Sequence, residues 1–322
     1  MSHQSCKSSN MNKDLLTTSG PYTHENLTIF LFHAHDQIDG SRYISLKEAL
    51  EQEKVRVYET GTVGQLEAEN LSETVDIFIQ AGDVLKGGRQ DRTLGIDFII
   101  PARSGRLPIP TFCVESGRWH RRRGEDAVLF SCSTHSLHSK KARMAAKVSM
   151  AQDAVWDGVA ESQKALGAAL KKSVLSAQSP TSYQLSVEDA DLEKRKVDFQ
   201  KELSGISEKS PDTIGYAFYV NGQRNSADVY GSTKLFKKVW NKLLDVAILE
   251  AISTRKAKTE PVAEANVQEW LGQAAQAGSA DKKSAPPRTR IQTRDYQGGV
   301  VFETFDEAIG DGAVLHTNII SR

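Results

Sequence analysis

The chain has 322 residues, 39% of them hydrophobic and 25% charged, enough to bury one large core or two smaller ones. Its 41 lysines and arginines balance 41 aspartates and glutamates, which excludes a global field for nucleic acid or an anionic membrane. No run approaches the ~20 apolar residues of a membrane span, and Met1–Leu16 has no apolar signal core. The cysteines (Cys6, Cys113, Cys132) are odd in number and lack a C-x-x-C pair, which argues against a disulfide framework or a cysteine zinc site. The expectation is a soluble, cytoplasmic globular protein, with Cys113 a buried inert thiol inside an apolar run.

In chain order, residues 1–22 are rich in Ser, Asn and Lys and read as a disordered tail. Leu27–His33 is the first strand. Ser45 and Glu48 have the spacing of a capping box and open a short helix to about Glu53. Val55–Glu59 alternates as a half-exposed strand, and Val63–Leu71 is extended. The chain then centres on residues 76–119. Apolar runs at Ile77–Ile79, Ile96–Ile100 and Ile109–Val114 are separated by Gly- or Pro-rich breaks, as buried strands are. Ala127–Cys132 is another short strand.

From Ser136 to Ser173 Gly and Pro almost vanish. Met144, Val148, Ala151, Val155, Val159, Leu166 and Leu170 mostly step by three and four, which predicts one long amphipathic helix. Glu188–Leu203 predicts a second, highly charged helix. Ile214–Val220, the turn Asn221-Gly222 and Ser226–Tyr230 predict a hairpin. Thr233–Thr254 is a third long helix, Val262–Gln276 a short one, and residues 278–288 a flexible loop. Strands at Arg288–Arg294, Val300–Thr304 and Ala313–Ile319 close the chain. Hairpin-length breaks in the first third call for antiparallel sheet there, with the long helices packed against it, so the class is α+β.

Three polar clusters stand out. Lys86, Arg89, Gln90 and Arg92 surround a Gly-Gly turn whose amides and cations suit an anion, although the phosphate-loop spacing is absent. Glu115, Arg118 and Trp119 follow a buried strand as a candidate acid/base, oxyanion clamp and stacking wall. Asn221, Gln223, Asn225 and Asp228 exceed what a hairpin tip needs. Each cluster has a plain structural reading as well: a surface turn, a braced strand corner, an exposed hairpin. His33 with His35, and His135 with His138, have spacings that share a face but no third ligand, so no metal is expected, and no cofactor motif is present. The only tight basic run, 118–123, is too short to diagnose nucleic-acid binding.

G-D-V-L-K-G-G-R-Q-D-R, then P-I-P-T-F-C-V-E-S-G-R-W, then Gln152 and Trp156 on the long helix, then G-Y-A-F-Y-V-N-G-Q-R-N-S-A-D-V-Y-G-S before Leu235–Trp240, occur in that order. With them the chain resembles the ARG-and-rhodanese-phosphatase-superfamily-associated protein domain family from about Thr23 to Ser321. The resemblance implies one domain over 23–322, and the echo between Lys86–Arg92 and Asn221–Asp228 leaves open two similar halves, 23–175 and 176–322. It also implies association with ADP-ribosylglycohydrolase-like and phosphatase-like enzymes, in nucleotide-linked or peptide-modification chemistry. It brings no catalytic residues. Three functions follow from the residues: a binder of a small polar or anionic ligand, nucleotide- or peptide-derived, with all three clusters in one pocket; a hydrolase with Glu115 or Asp83 as general acid/base; or an interaction protein using the helices at 136–173 and 233–254. The oligomeric state is left open.

Overall fold

The structure, a computed structural model, describes residues 16–122, 124–126, 128–256, 259–278, 280–310 and 313–322. Most of the expected tail, Arg123 of the basic run and Ala127 at the start of an expected strand lie outside them. The first half contains β1 (Thr17–His24), β2 (Leu27–His33), β3 (Tyr43–Ser45), α1 (Leu46–Glu51), β4 (Val55–Glu59) and β5 (Gln65–Asn70). It continues with β6 (Asp76–Ile79), β7 (Asp83–Gly87), β8 (Arg92–Leu94), β9 (Phe98–Ile100), β10 (Leu107–Cys113) and β11 (Phe130–Ser136). Helices α2 (Lys140–Met144), α3 (Gln152–Leu170), α4 (Tyr183–Val187) and α5 (Ala190–Leu203) follow. Next come β12 (Thr213–Val220), β13 (Gln223–Tyr230), α6 (Thr233–Ser253) and α7 (Glu264–Ala275). The chain closes with β14 (Asp281–Ala285), β15 (Thr289–Tyr296), β16 (Gly299–Asp306) and β17 (Val314–Ser321).

An eight-stranded antiparallel sheet runs β1-β2-β12-β13-β17-β16-β15-β14, so it draws on both ends of the chain. β2 is buried along its whole length because it lies between β1 and β12 with both sheet faces covered. Leu27, Ile29 and Leu31 point into one core with Leu235, Val239 and Leu243 of α6, and Phe30 and Phe32 into another with Val267, Trp270 and Leu271 of α7. A six-stranded sheet, β11-β7-β8-β10-β5-β4, curls until its edges meet at a bridge between Tyr58 and Leu129. A three-stranded sheet, β3-β6-β9, packs its Ile77, Ile79, Phe98 and Ile100 into the core of that curl. Helix α6 lies on β12 and against β11, α3 and α5, and this position creates the cleft described below.

The α+β class and the antiparallel first third stand, with one parallel pair, β3–β6. Ser45 and Glu48 form the expected capping box. Three expectations need correction. Thr17–His24 is not tail but an edge strand on β2, with a bulge between Ser19 and Tyr22 that accommodates Pro21. Asp281–Ala285 is not loop but an edge strand on β15; four of its five residues face solvent, so it shows no apolar alternation.

The helix expected over 136–173 is broken. β11 runs to Ser136, Ser139 caps α2, a π-helical turn spans Ala145–Ser149, and Met150 at φ +48° separates it from α3. Val148, part of the expected apolar stripe, is exposed, and so is Met150 beside it. What the break achieves is inward placement of two cations. Arg143 reaches Asn225 at 2.8 Å and Ser226 at 3.0 Å, and Lys147 reaches Asn318 at 2.6 Å. The side-chain amide of Gln152 then accepts from the Cys113 N–H and donates to the Cys113 carbonyl, both at 2.8 Å, tying the start of α3 to the end of β10. Cys113 is buried, which pushes its thiol pKa up, as an inert thiol requires.

Candidate functional site

The turn after β7 and the loop after β10 come together, but as a sealed knot of charges. Glu115 and Asp91 are fully buried, and Arg118 and Arg122 are each 5% exposed. Arg118 lies 2.7 Å from Glu115, and Arg122 lies 2.6 Å from Asp91 and 2.8 Å from Glu125. Ser179 donates to Glu115, Ser182 donates to Asp91 at 3.2 Å, and the Gly87 N–H donates to Asp91 at 3.1 Å. Burial alone would raise the Glu115 carboxyl, yet Arg118 and Ser179 outweigh it and hold it below its ordinary value. For Asp91 burial prevails over Arg122 and the carboxyl is raised.

Arg92 is sealed beside Gln90 and Glu59, with its guanidinium 5.7 Å from the Trp119 ring centre. Exposed Arg89 covers the same ring at 5.5 Å, and Trp119 keeps 40% of its surface in solvent. Lys86 pairs with Glu188 at 2.8 Å. Of the arginines in the run 118–123, Arg118 and Arg122 therefore face inward.

The hairpin residues diverge. Asn221, at φ +54°, accepts from Asn26 and from the Lys256 N–H and donates to the Thr254 carbonyl, fastening the turn to the end of α6. Gln223 is exposed. Asn225 bridges Arg143 and Glu250. Asp228 turns into the molecule, where His316 at 3.0 Å and Asn318 at 2.9 Å hold it. Glu115 and Asp228 thus serve different places, and the three clusters do not line one pocket. Of the two histidine pairs, His33 bonds Ser19 and Asp212 beside an open surface pocket, His138 bonds Tyr183 and Ser162, and His135 lines the cleft between α5 and α6.

That cleft encloses about 500 Å³ between α5, α6, β11 and the start of β7. Lys238, Lys242 and Asp245 step by four and three along α6, and Glu193, Lys196 and Gln200 by three and four along α5, so each set shares one helix face. His135 on β11 approaches Asp245 through Nδ1 at 2.7 Å and Glu193 through Nε2 at 3.3 Å. Lys196 pairs with Asp245 and lies 3.0 Å from Glu193. Burial would raise Asp245, but His135 and Lys196 overcome it and lower its pKa. Lys242 pairs with Asp83 at 2.5 Å, and Lys238 donates to the Tyr43 carbonyl. Asp83, Ser136 and Lys242 also line a second chamber of about 30 Å³ directly behind, where Gln80, Arg143, Lys147 and Asp228 face one another.

Of the site residues expected from sequence, Asp83 lines both spaces and Asp228 the inner one. His135, weighed from sequence only beside His138 as a metal pair, lines the cleft, and Lys196, Lys238, Lys242 and Asp245, which were not singled out from sequence, line it too. The signal was there for the helices: charged residues at helical spacing beside the apolar stripe, which read equally well as a solvated face. Among the described residues no group of three or more His, Cys, Asp or Glu is placed to hold a metal ion.

A family model, the ARG and Rhodanese-Phosphatase-superfamily-associated Protein domain, matches residues 16–320. The chain belongs to that family. The match begins before β1 and ends within β17, so it takes in all three sheets and the cleft. No curated protein and no solved structure matches the chain. No helix among the described residues is long and apolar enough to cross a membrane.

Proposed function

We propose that this family member binds a small polar ligand carrying an anionic group in the cleft between α5 and α6. One observation carries the reading: Lys196, Lys238 and Lys242 converge with His135 and several acids on one concave space of about 500 Å³, the size and chemistry of a small-molecule site. Nucleotide- and peptide-derived compounds both satisfy that chemistry. The test is a thermal-shift and calorimetric screen of nucleotides, sugar phosphates, dicarboxylates and short peptides, since a ligand of the folded state raises the melting temperature. A hit should weaken about tenfold in Lys238→Gln, whose ammonium loses a charge-assisted bond. A screen without a hit, or a hit indifferent to Lys238→Gln, overturns the proposal.

A second reading, a hydrolase, is favoured by the contact between His135 and Asp245. A buried carboxylate orienting an imidazole at a cleft wall is the arrangement of a general base. Asp83 remains a candidate acid/base from its place in the cleft, whereas Glu115 has no exposed surface from which to exchange a proton with a ligand. Incubating a screening hit and following product tests this: His135→Gln should abolish turnover while leaving the thermal shift. Turnover unchanged in that variant removes His135 from the chemistry.

A further inference from the structure

We infer that the cleft and the chamber behind it form one two-part oxyanion site, in which the Asp83 carboxylate stands in for the anionic group of a phosphate-like ligand. The inference rests on the ligand-binding reading above and names the ligand class and the way it enters.

Asp83, Ser136 and Lys242 line both spaces, so they form the partition between them. The Lys242 ammonium lies 2.5 Å from one Asp83 oxygen, the Ser136 hydroxyl donates to that same oxygen at 3.3 Å, and the Gln80 N–H donates to the other at 3.0 Å. An ammonium, a hydroxyl and a backbone amide converging on a planar pair of oxygens is what an oxyanion site consists of. Here an internal carboxylate fills it.

Among the residues lining the chamber behind the partition, cations outnumber acids and loss of Asp83 widens that excess, with Asp97 near Lys147 and Glu250 near Arg143 as the acids outside the lining. Arg143, Lys147 and Lys242 face the inner chamber, and the other acid there, Asp228, is held by His316 and Asn318. If Asp83 swings into the cleft, Arg143, Lys147 and Lys242 remain around the chamber and the volume that the carboxylate vacates. The same chamber holds an acceptor in need of a donor: Gln80 is 6% exposed, and its Oε1 is buried without a hydrogen-bond partner. A ligand that satisfies both demands presents several anionic oxygens and one hydroxyl hydrogen, as hydrogen phosphate or the monoanion of a phosphate monoester does. The inner space of about 30 Å³ suits a water molecule and is too small for a phosphate group. The carboxylate must therefore leave for the ligand to seat, and the two compete for Lys242.

The competition predicts an unusual direction of effect. Asp83→Asn frees Lys242, so the fraction of protein competent to bind rises, and affinity for inorganic phosphate and pyrophosphate should increase about fivefold or more. Lys242→Gln removes the shared partner and should weaken both about tenfold. Calorimetry on the full chain at constant ionic strength, with chloride as the reference anion and circular dichroism to check folding, reads both. An Asp83→Asn variant that binds phosphate no better than the parent overturns the inference. Should that variant not fold, Lys242→Gln decides alone, and binding equal to the parent overturns it. If phosphate and pyrophosphate fail to bind the parent and both variants while another member of the screen binds, the two-part oxyanion site is wrong and the ligand-binding reading survives. If nothing binds, both fall.

Discussion

The knot at Glu115 and the cleft at Asp83 are made of the same materials. Each has two or more acids, two or more cations, a serine or two, and a position at strand ends. They differ in enclosure. In the knot every charge faces an opposite charge, with exposures of 0–5% for Asp91, Glu115, Arg118 and Arg122. In the cleft the pairs line a space of about 500 Å³ and abut a chamber with an unpartnered amide oxygen. A buried ion-pair network closed to solvent holds two loops in register and offers a ligand no way in, even though Arg118 keeps donor hydrogens without a hydrogen-bond partner. One that stops at a cavity wall offers one. The contrast teaches that residue types locate charge clusters, and closure decides what they do.

The comparison breaks most directly at Glu115. Glu115→Ala leaves Arg118 and Arg122 buried with fewer partners and should cost about 3–5 kcal/mol in urea unfolding. A loss below about 1 kcal/mol would mean that the knot does not brace the fold and that the two regions are not different in kind.

A smaller effect is expected at His316, which holds Asp228 at the back of the inner chamber and lies 2.7 Å from Asp97. Burial disfavours the imidazolium, but Asp97 and Asp228 outweigh it and raise the pKa above the ordinary 6.5. Its contribution to stability is therefore full below about pH 6.5 and is lost as pH rises through the raised value. Asp97 has the opposite sign. Burial would raise its carboxyl, but His316 holds it well below the usual carboxylate range, so its contribution is full above about pH 4 and fades only in strong acid. His316→Gln should cost about 3 kcal/mol near pH 6 and flatten the fall in unfolding free energy above about pH 6.5. A variant whose pH profile parallels the parent would remove His316 from that limb.

The smallest change sharpens the contrast. Trp119→Ala removes a half-exposed ring covered by Arg89 and Arg92 and should cost about 0.5–1 kcal/mol. It should leave the thermal shift of any cleft ligand unaltered. A lost shift would place the binding surface at the knot instead of the cleft.

Local patterns carried much of the architecture. The capping box at Ser45, the hairpin at Asn221-Gly222 and the apolar stripe of α6 each depend on neighbours within one or two turns, and each is where the sequence puts it. The expected long helix is broken although Val148 has the right spacing, because its surroundings leave it exposed. Nothing local says that Arg143 and Lys147 must turn inward. The edge strands at 17–24 and 281–285 escaped notice because a strand with a solvent face and one partner needs no apolar alternation.

For the candidate site, the order of motifs was enough to place the chain in its family, and residue type was enough to find Asp83, Glu115 and Asp228 as charges near strand ends. Which of them lines a cavity and which is sealed was decided by long-range contacts: Asp83 by Lys242 of α6, Glu115 by Ser179, and Asp228 by His316 of the last strand. Helical and strand periodicity is set by the backbone within a few residues, so sequence determines it. Burial and charge pairing are set by segments far apart in the chain, 159 positions for Asp83 and Lys242 and 219 for Asp97 and His316, and only the tertiary structure determines those.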